Sequence, residues 1–186
     1  MKSLNKLTLL IATILFSINI SAQDVYWGSY KYRIISTKSK TVEFIGGLST
    51  STESVTIPQT IKYNEEDYKV VRIAGYTFKS LSKLKEVTLP NTIKSIGDYA
   101  FSNSGLKSIN IPSSVEVIGT GAFNNCNISA IKIPSDVKII YPSTFYGCSN
   151  LRTVTISGYK MEIRTSAFSG CYTLESIRIP DGTTLI

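Results

Sequence analysis

The sequence predicts a β-rich solenoid of about five coils, repeating every 22 or 23 positions, behind an N-terminal β-hairpin cap. Three observations predict it. Phe78, Phe101, Phe123, Phe145 and Phe168 recur at intervals of 23, 22, 22 and 23 positions. Pro90, Pro112, Pro134 and Pro180 keep the same beat, with Ser157 standing where the next proline is due. Between these markers apolar residues alternate with period two, the signature of a strand with one buried face. Self-similarity at this period marks a repeat array in which no single coil can bury its own apolar side.

Residues 1–22 read as an address. Lys2 and Lys6 make a short basic start, Leu7 to Ile20 is mostly apolar, and Ile20-Ser21-Ala22 ends on a small residue. That layout is a secretory signal peptide with cleavage after Ala22. The apolar run is too short for the roughly 20 residues of a membrane span, so no transmembrane segment is expected in the mature chain. Residues 23–54 lie outside the repeat. Tyr30 to Ile35 and Thr41 to Ile45 are strand-like around a polar turn, and Trp27, Tyr30 and Tyr32 are available to cover the first coil's apolar edge.

Residues 55–186 form the array, in units opening at Val55, Val87, Ile109, Ile131 and Val154, with an incomplete unit from Ile177. The pairs Val87/Leu89, Ile109/Ile111, Ile131/Ile133, Val154/Ile156 and Ile177/Ile179 point inward and stack as a parallel sheet. Proline directly after a pair removes a backbone donor and ends the strand. A second short apolar stretch follows in each unit (Ile93/Ile96, for example), and after a small-residue turn the phenylalanine enters the core as part of an aromatic stack. The opening unit is longer, because Pro58 to Phe78 is 20 positions against 11 from Pro90 to Phe101. The surplus around Tyr63 to Tyr68 reads as a projecting hairpin, with two uses open to it: packing against the cap, which is favoured, or a contact site. Cys126, Cys148 and Cys171 each follow a phenylalanine at the third position. Two readings stand: a bridge between neighbouring coils, or free buried thiols, which the presence of Leu81 and Ser104 in the same slot favours.

Composition removes several functions. The formal net charge is +7 without any basic block of the kind nucleic-acid arms carry. There is no histidine, which excludes Ser-His-Asp and Cys-His nucleophiles and histidine-based metal sites. Glu65, Glu66 and Asp67 sit together in a polar turn, and no phosphate loop or calcium loop is present. No enzyme activity, no metal and no cofactor are expected.

The pattern I-x-I-P, then V/I-x-x-I, then A-F-x-x-C, seen in Ile131-Lys132-Ile133-Pro134 and Ala167-Phe168-Ser169-Gly170-Cys171, resembles the BspA-like bacterial leucine-rich repeats (LRRs). The resemblance implies a leucine-rich-repeat horseshoe that is secreted or exposed on a bacterial cell surface, and a role in binding or adhesion. It supplies no ligand and no binding residues, because the repeat motif is structural. The sequence departs from the pattern at Ser157, and units 87–108 and 109–130 are one position shorter between the phenylalanine and the next strand. In such horseshoes the outward strand residues line the concave face. Here that gives Thr88, Asn110, Lys132, Thr155 and Arg178, and, two positions before each apolar pair, Lys85, Lys107, Ser129, Arg152 and Glu175. The candidate ligand-binding residues are therefore Lys85, Lys107, Asn110, Lys132, Arg152 and Arg178, and the expected partner is an extracellular protein or an anionic glycan. A second expectation concerns the last strands, which leave an uncovered edge: either the chain is a truncated form of a longer array, or the edge docks a partner or self-associates with a second copy.

Overall fold

The computed structural model describes residues 23–186, so the leader assigned to residues 1–22 lies outside the described residues. The described chain is built from strands and turns. Strands β1 (Asp24–Trp27), β2 (Tyr30–Ser36) and β3 (Thr41–Gly46) form an antiparallel meander. β4 (Ser54–Thr56), β5 (Thr60–Tyr63) and β6 (Glu66–Ile73) belong to the longer opening coil. Each later coil then contributes two short strands: β7 (Glu86–Thr88) and β8 (Ser95–Ile96), β9 (Ser108–Ile109) and β10 (Val117–Ile118), β11 (Ala130–Ile133) and β12 (Ile139–Ile140), β13 (Thr153–Ile156) and β14 (Glu162–Ile163), β15 (Ser176–Arg178) and β16 (Thr184–Leu185).

Coil on coil, these strands make two parallel sheets. In the first, β4, β7 and β9 pair in order, and β11, β13 and β15 continue. In the second, the meander hands over from β3 to β6, β8 and β10, and β12, β14 and β16 continue. Both sheets are divided at the same level, between the coil of β9 and the coil of β11. The third side of the solenoid is a turn column that stays bonded across that level: Phe101 N–H donates to Ala122 O at 2.8 Å, Phe123 N–H to Thr144 O at 2.9 Å and Phe145 N–H to Ala167 O at 2.9 Å.

That column demands left-handed backbone twice per coil, two positions before and two after each phenylalanine. The first position holds Tyr76, Tyr99, Gly121, Ser143 and Ser166, and the second Ser80, Asn103, Asn125, Gly147 and Gly170, all with positive φ. Gly121 has a further reason to lack a side chain, since a Cβ there would sit 2.4 Å from the Tyr99 ring.

The phenylalanines stack as expected, with centroids 4.7 Å apart for Phe78–Phe101, 5.2 Å for Phe101–Phe123, 5.5 Å for Phe123–Phe145 and 5.3 Å for Phe145–Phe168. The ladder has a sixth rung. Phe44 of β3 stacks on Phe78 at 5.5 Å, and Tyr30 and Tyr32 close its outer face edge-on at 5.5 and 5.4 Å. Tyr30 and Tyr32 thus cap the core, whereas Trp27, expected beside them, is 41% exposed at the β1–β2 turn. The cap also has one strand more than the expected hairpin. The β5–β6 hairpin packs on it: Tyr63 donates its hydroxyl to Gln23 Oε1 at 3.1 Å, and Lys40 reaches Glu66 at 2.8 Å. The cysteines are free. Each thiol donates to the carbonyl of the phenylalanine one coil earlier, Cys126 to Phe101 O at 3.0 Å, Cys148 to Phe123 O at 3.0 Å and Cys171 to Phe145 O at 3.1 Å. Ser104, in the same slot one coil before Cys126, lies against that thiol at 3.5 Å.

Candidate functional site

The outward face of the first sheet is the candidate site. Val55, Val87, Ile131 and Val154 of its strands are buried, so their neighbours Thr56, Thr88, Lys132 and Thr155 point to solvent. Register then places side chains in rows. Lys132 is opposite Thr155, and Thr155 is opposite Arg178. Lys107 N–H bonds Lys85 O at 3.1 Å, and Arg152 N–H bonds Ser129 O at 2.8 Å, which sets the second row beside the first. With neighbouring strands about 4.8 Å apart, Lys132 and Arg178 stand about 10 Å from each other.

The six candidate residues are exposed on this face, but their charges are not equally available. Lys85 is paired with Glu53 at 2.6 Å, and Arg152 with Glu175 at 2.5 Å. The Lys85 ammonium holds the Glu53 carboxyl below the ordinary carboxylate range. Among the described residues, Lys107, Lys132 and Arg178 have no carboxylate within salt-bridge distance; Lys107 shares the coil of Asn110, Lys132 lies on the next strand, and Arg178 two strands beyond that. The sequence columns began at the second unit and so missed Glu53. It sits two positions before Val55, as Lys85 sits two before Val87, and extending the column by one coil would have found it.

Two shallow depressions meet on this face. One, of about 390 Å³, is lined by Glu86, Thr88, Ser108, Asn110 and Ala130, with strand backbone as its floor. The other, of about 450 Å³, is lined by Asn91, Asn110, Ser113, Lys132, Ser135 and Ser157, over Pro112 and Pro134. Asn110 belongs to both. Three acids lie on the face: Glu53 and Glu175 are held in ion pairs with Lys85 and Arg152, and Glu86 is separated from Glu175 by the strands β9, β11 and β13, beyond the spacing at which two carboxylates share one glycosidic bond. Among the described residues no group of His, Cys, Asp or Glu is placed to hold a metal ion, and no helix is long and apolar enough to cross a membrane. The buried thiols lie in the core, away from this face: burial pushes the Cys126 thiol up to about 11 and raises Cys148 further.

Residues 71–186 match the family model described as "BspA type Leucine rich repeat region", in six copies. No curated protein matches the chain. Among solved structures, a leucine-rich cell surface protein from Faecalibacterium prausnitzii A2-165 is similar at 25% identity and a TM-score of 0.65, over 89% of this chain and 50% of that one. A leucine-rich repeat protein from Bacteroides ovatus is similar at 24% identity and a TM-score of 0.57, covering 88% of this chain and 55% of that chain. The pneumococcal vaccine antigen PcpA is similar at 20% identity and a TM-score of 0.69, covering 80% of this chain and 42% of that chain. The latter two likenesses speak to the fold alone, and the chain spans about half the length of these three structures.

Proposed function

The chain belongs to the BspA-type leucine-rich-repeat family, and from that premise we propose that it is a secreted or cell-surface binding protein. It engages an extracellular protein or an anionic glycan across the first sheet and does no chemistry there. One observation carries this reading: Lys107, Lys132 and Arg178 are spread along the face without carboxylate partners, whereas Lys85 and Arg152 on the same face are already neutralised. An exposed cation left unpaired on a flat, regularly spaced sheet is a ready contact for an anionic surface. The similar Faecalibacterium structure is that of a cell surface protein, which supports the location, and the signal-peptide pattern with cleavage after Ala22 supports export.

The test is binding of the purified protein to extracellular-matrix proteins and acidic glycans at low and raised salt. Binding that weakens with salt, and is lost in the Lys107→Glu, Lys132→Glu, Arg178→Glu variant while the fold is retained, is the expected result. Salt-independent binding that survives all three reversals refutes the use of this face.

A further inference from the structure

The level at which both sheets divide runs beneath the larger depression and along the rim of the smaller one, which lies mainly over the paired strands β7 and β9. Among the described residues, no backbone hydrogen bond crosses from Ser108–Asn110 to Ala130–Ile133, whereas β7–β9 and β11–β13 on either side are regularly paired. The core does not part there, because Phe123 and Phe145 remain stacked and the turn column remains bonded. The backbone ladder of the first sheet is therefore interrupted in its middle rather than at its edge, although β9 and β11 still lie side by side.

The side chains around this seam share one property. Asn91, Asn110, Ser113, Lys132, Ser135 and Ser157 line the larger depression, and none of them makes a side-chain hydrogen bond within the described protein. Equivalent small polar residues one step along the coil are committed to the fold: Thr92 donates to Val70 O at 2.7 Å and Ser114 to Ile93 O at 2.7 Å. Ser157 takes part because the proline of its coil is lost, which replaces an apolar ring by a hydroxyl at the rim. Pro112 and Pro134 supply carbon-rich walls. Charge is graded along the groove, with Lys132 at one end and Glu86 at the other, and Asn110 common to both depressions.

We infer that this seam is a saccharide subsite that takes a short sugar chain carrying one acidic group. The inference rests on the binding role proposed above and assigns it a ligand chemistry. The acidic group pairs with the Lys132 ammonium. The sugar hydroxyls, which both donate and accept, exchange hydrogen bonds with the Asn110 amide and the serine hydroxyls. Glu86 repels a second anion, so the sugar beyond the acidic unit is neutral. A shallow, solvated groove of this kind gives weak binding at a single subsite, consistent with an adhesin that gains strength from many copies on a surface.

The experiment is titration of the purified protein, by calorimetry or saturation-transfer NMR, with 3′-sialyllactose, 3′-sulfolactose and lactose. The first two carry the acidic group as carboxylate or sulfate, and lactose lacks it. The expected result is binding of at least one acidic sugar at least tenfold more tightly than lactose. Asn110→Ala should weaken it about tenfold with an unchanged thermal midpoint, and Lys132→Gln should reduce it to the lactose level. Ser113→Phe, which fills the depression from an exposed position, provides a steric control and should block binding. Equal affinity for lactose and the acidic sugars, no effect of Asn110→Ala, or no binding of any of the three overturns the subsite. If none of the sugars binds while binding to a matrix protein is still lost on reversing Lys107, Lys132 and Arg178, the subsite fails and the binding face stands. Loss of both results removes the face as well.

Discussion

Replacing Phe123 by alanine tests whether the aromatic ladder carries the fold. The ring is fully buried and stacked on both sides, 5.2 Å from Phe101 and 5.5 Å from Phe145, in planes 3° and 2° from parallel. Its backbone carbonyl also accepts the Cys148 thiol at 3.0 Å. Emptying such a site costs about 3–5 kcal/mol through lost transfer energy and cavity. The two stacked contacts, each about 0.5–1.5 kcal/mol beyond the area term, place Phe123→Ala at the upper end. Phe168 is the contrast, because it is only partly buried and stacks on Phe145 alone. Phe168→Ala should therefore cost about half as much, within the range of smaller core truncations. Urea unfolding followed by tyrosine fluorescence and by far-ultraviolet circular dichroism measures both. The two probes also report whether the repeat array melts as one unit, since repeat proteins lose cooperativity when one neighbour interface fails. A loss below about 1.5 kcal/mol for Phe123→Ala, or equal losses for the two variants, would falsify the ladder as the main axis of stability.

Two further outcomes follow from buried polar groups. Tyr32 is wholly buried against Phe44, yet its hydroxyl has no hydrogen-bond partner. Tyr32→Phe should leave stability unchanged or raise it by up to about 1 kcal/mol, and a clear drop in urea midpoint would mean that the hydroxyl is satisfied. Burial raises the Cys126 thiol from 9.0 to about 11, so the folded state keeps a proton that the unfolded state gives up. Its stabilisation is complete below pH 9 and is lost as pH rises towards 11, by about 1.4 kcal/mol per unit of pH. Cys126→Ser, which places in this slot the residue that Ser104 supplies one coil earlier, should flatten that alkaline decline. An identical decline in the two proteins would assign it to other groups.

The parts of the fold that were legible in the sequence are those in which one residue type recurs at one place in every coil. Phe78 through Phe168 and the paired aliphatics announce themselves because a stacked coil imposes the same burial on each copy. Phe44 escaped because it enters the same column from an antiparallel strand, off the beat of the repeat, and nothing in its neighbours marks it as a ladder rung. The left-handed columns were also hidden: Tyr76, Tyr99, Gly121, Ser143 and Ser166 satisfy one backbone requirement with three residue types. At the candidate site, strand alternation was enough to bring out Lys132 and Arg178. The neutralising partners stayed out of view, since Glu53 and Lys85 are distant in sequence and meet only through coil stacking. The break between β9 and β11 had only a faint trace in the sequence. The repeat lengthens by one position at the unit beginning with Ile131, and Ser157 replaces the next proline, but neither change states on which face a groove opens.

The Glu53–Lys85 pair offers the most direct way to separate a binding face from a merely soluble one. Both side chains are exposed, so the 2.6 Å contact contributes little to stability once screened by salt. Glu53→Gln should therefore leave the urea midpoint in place. It does change the field of the face, because Lys85 then joins Lys107, Lys132 and Arg178 as an unpaired cation on the same sheet. If an anionic ligand uses this sheet, Glu53→Gln binds it more tightly, the association rate rises, and both effects shrink as ionic strength increases. If the lysines serve only to keep the sheet in solution, removing one carboxylate adds solubility and changes no affinity. The measurement is surface plasmon resonance of the Glu53→Gln and unaltered proteins against the same immobilised acidic ligand at two salt concentrations. Identical association rates at low salt would sink the proposal that charge on the first sheet selects the partner, whatever the ligand proves to be.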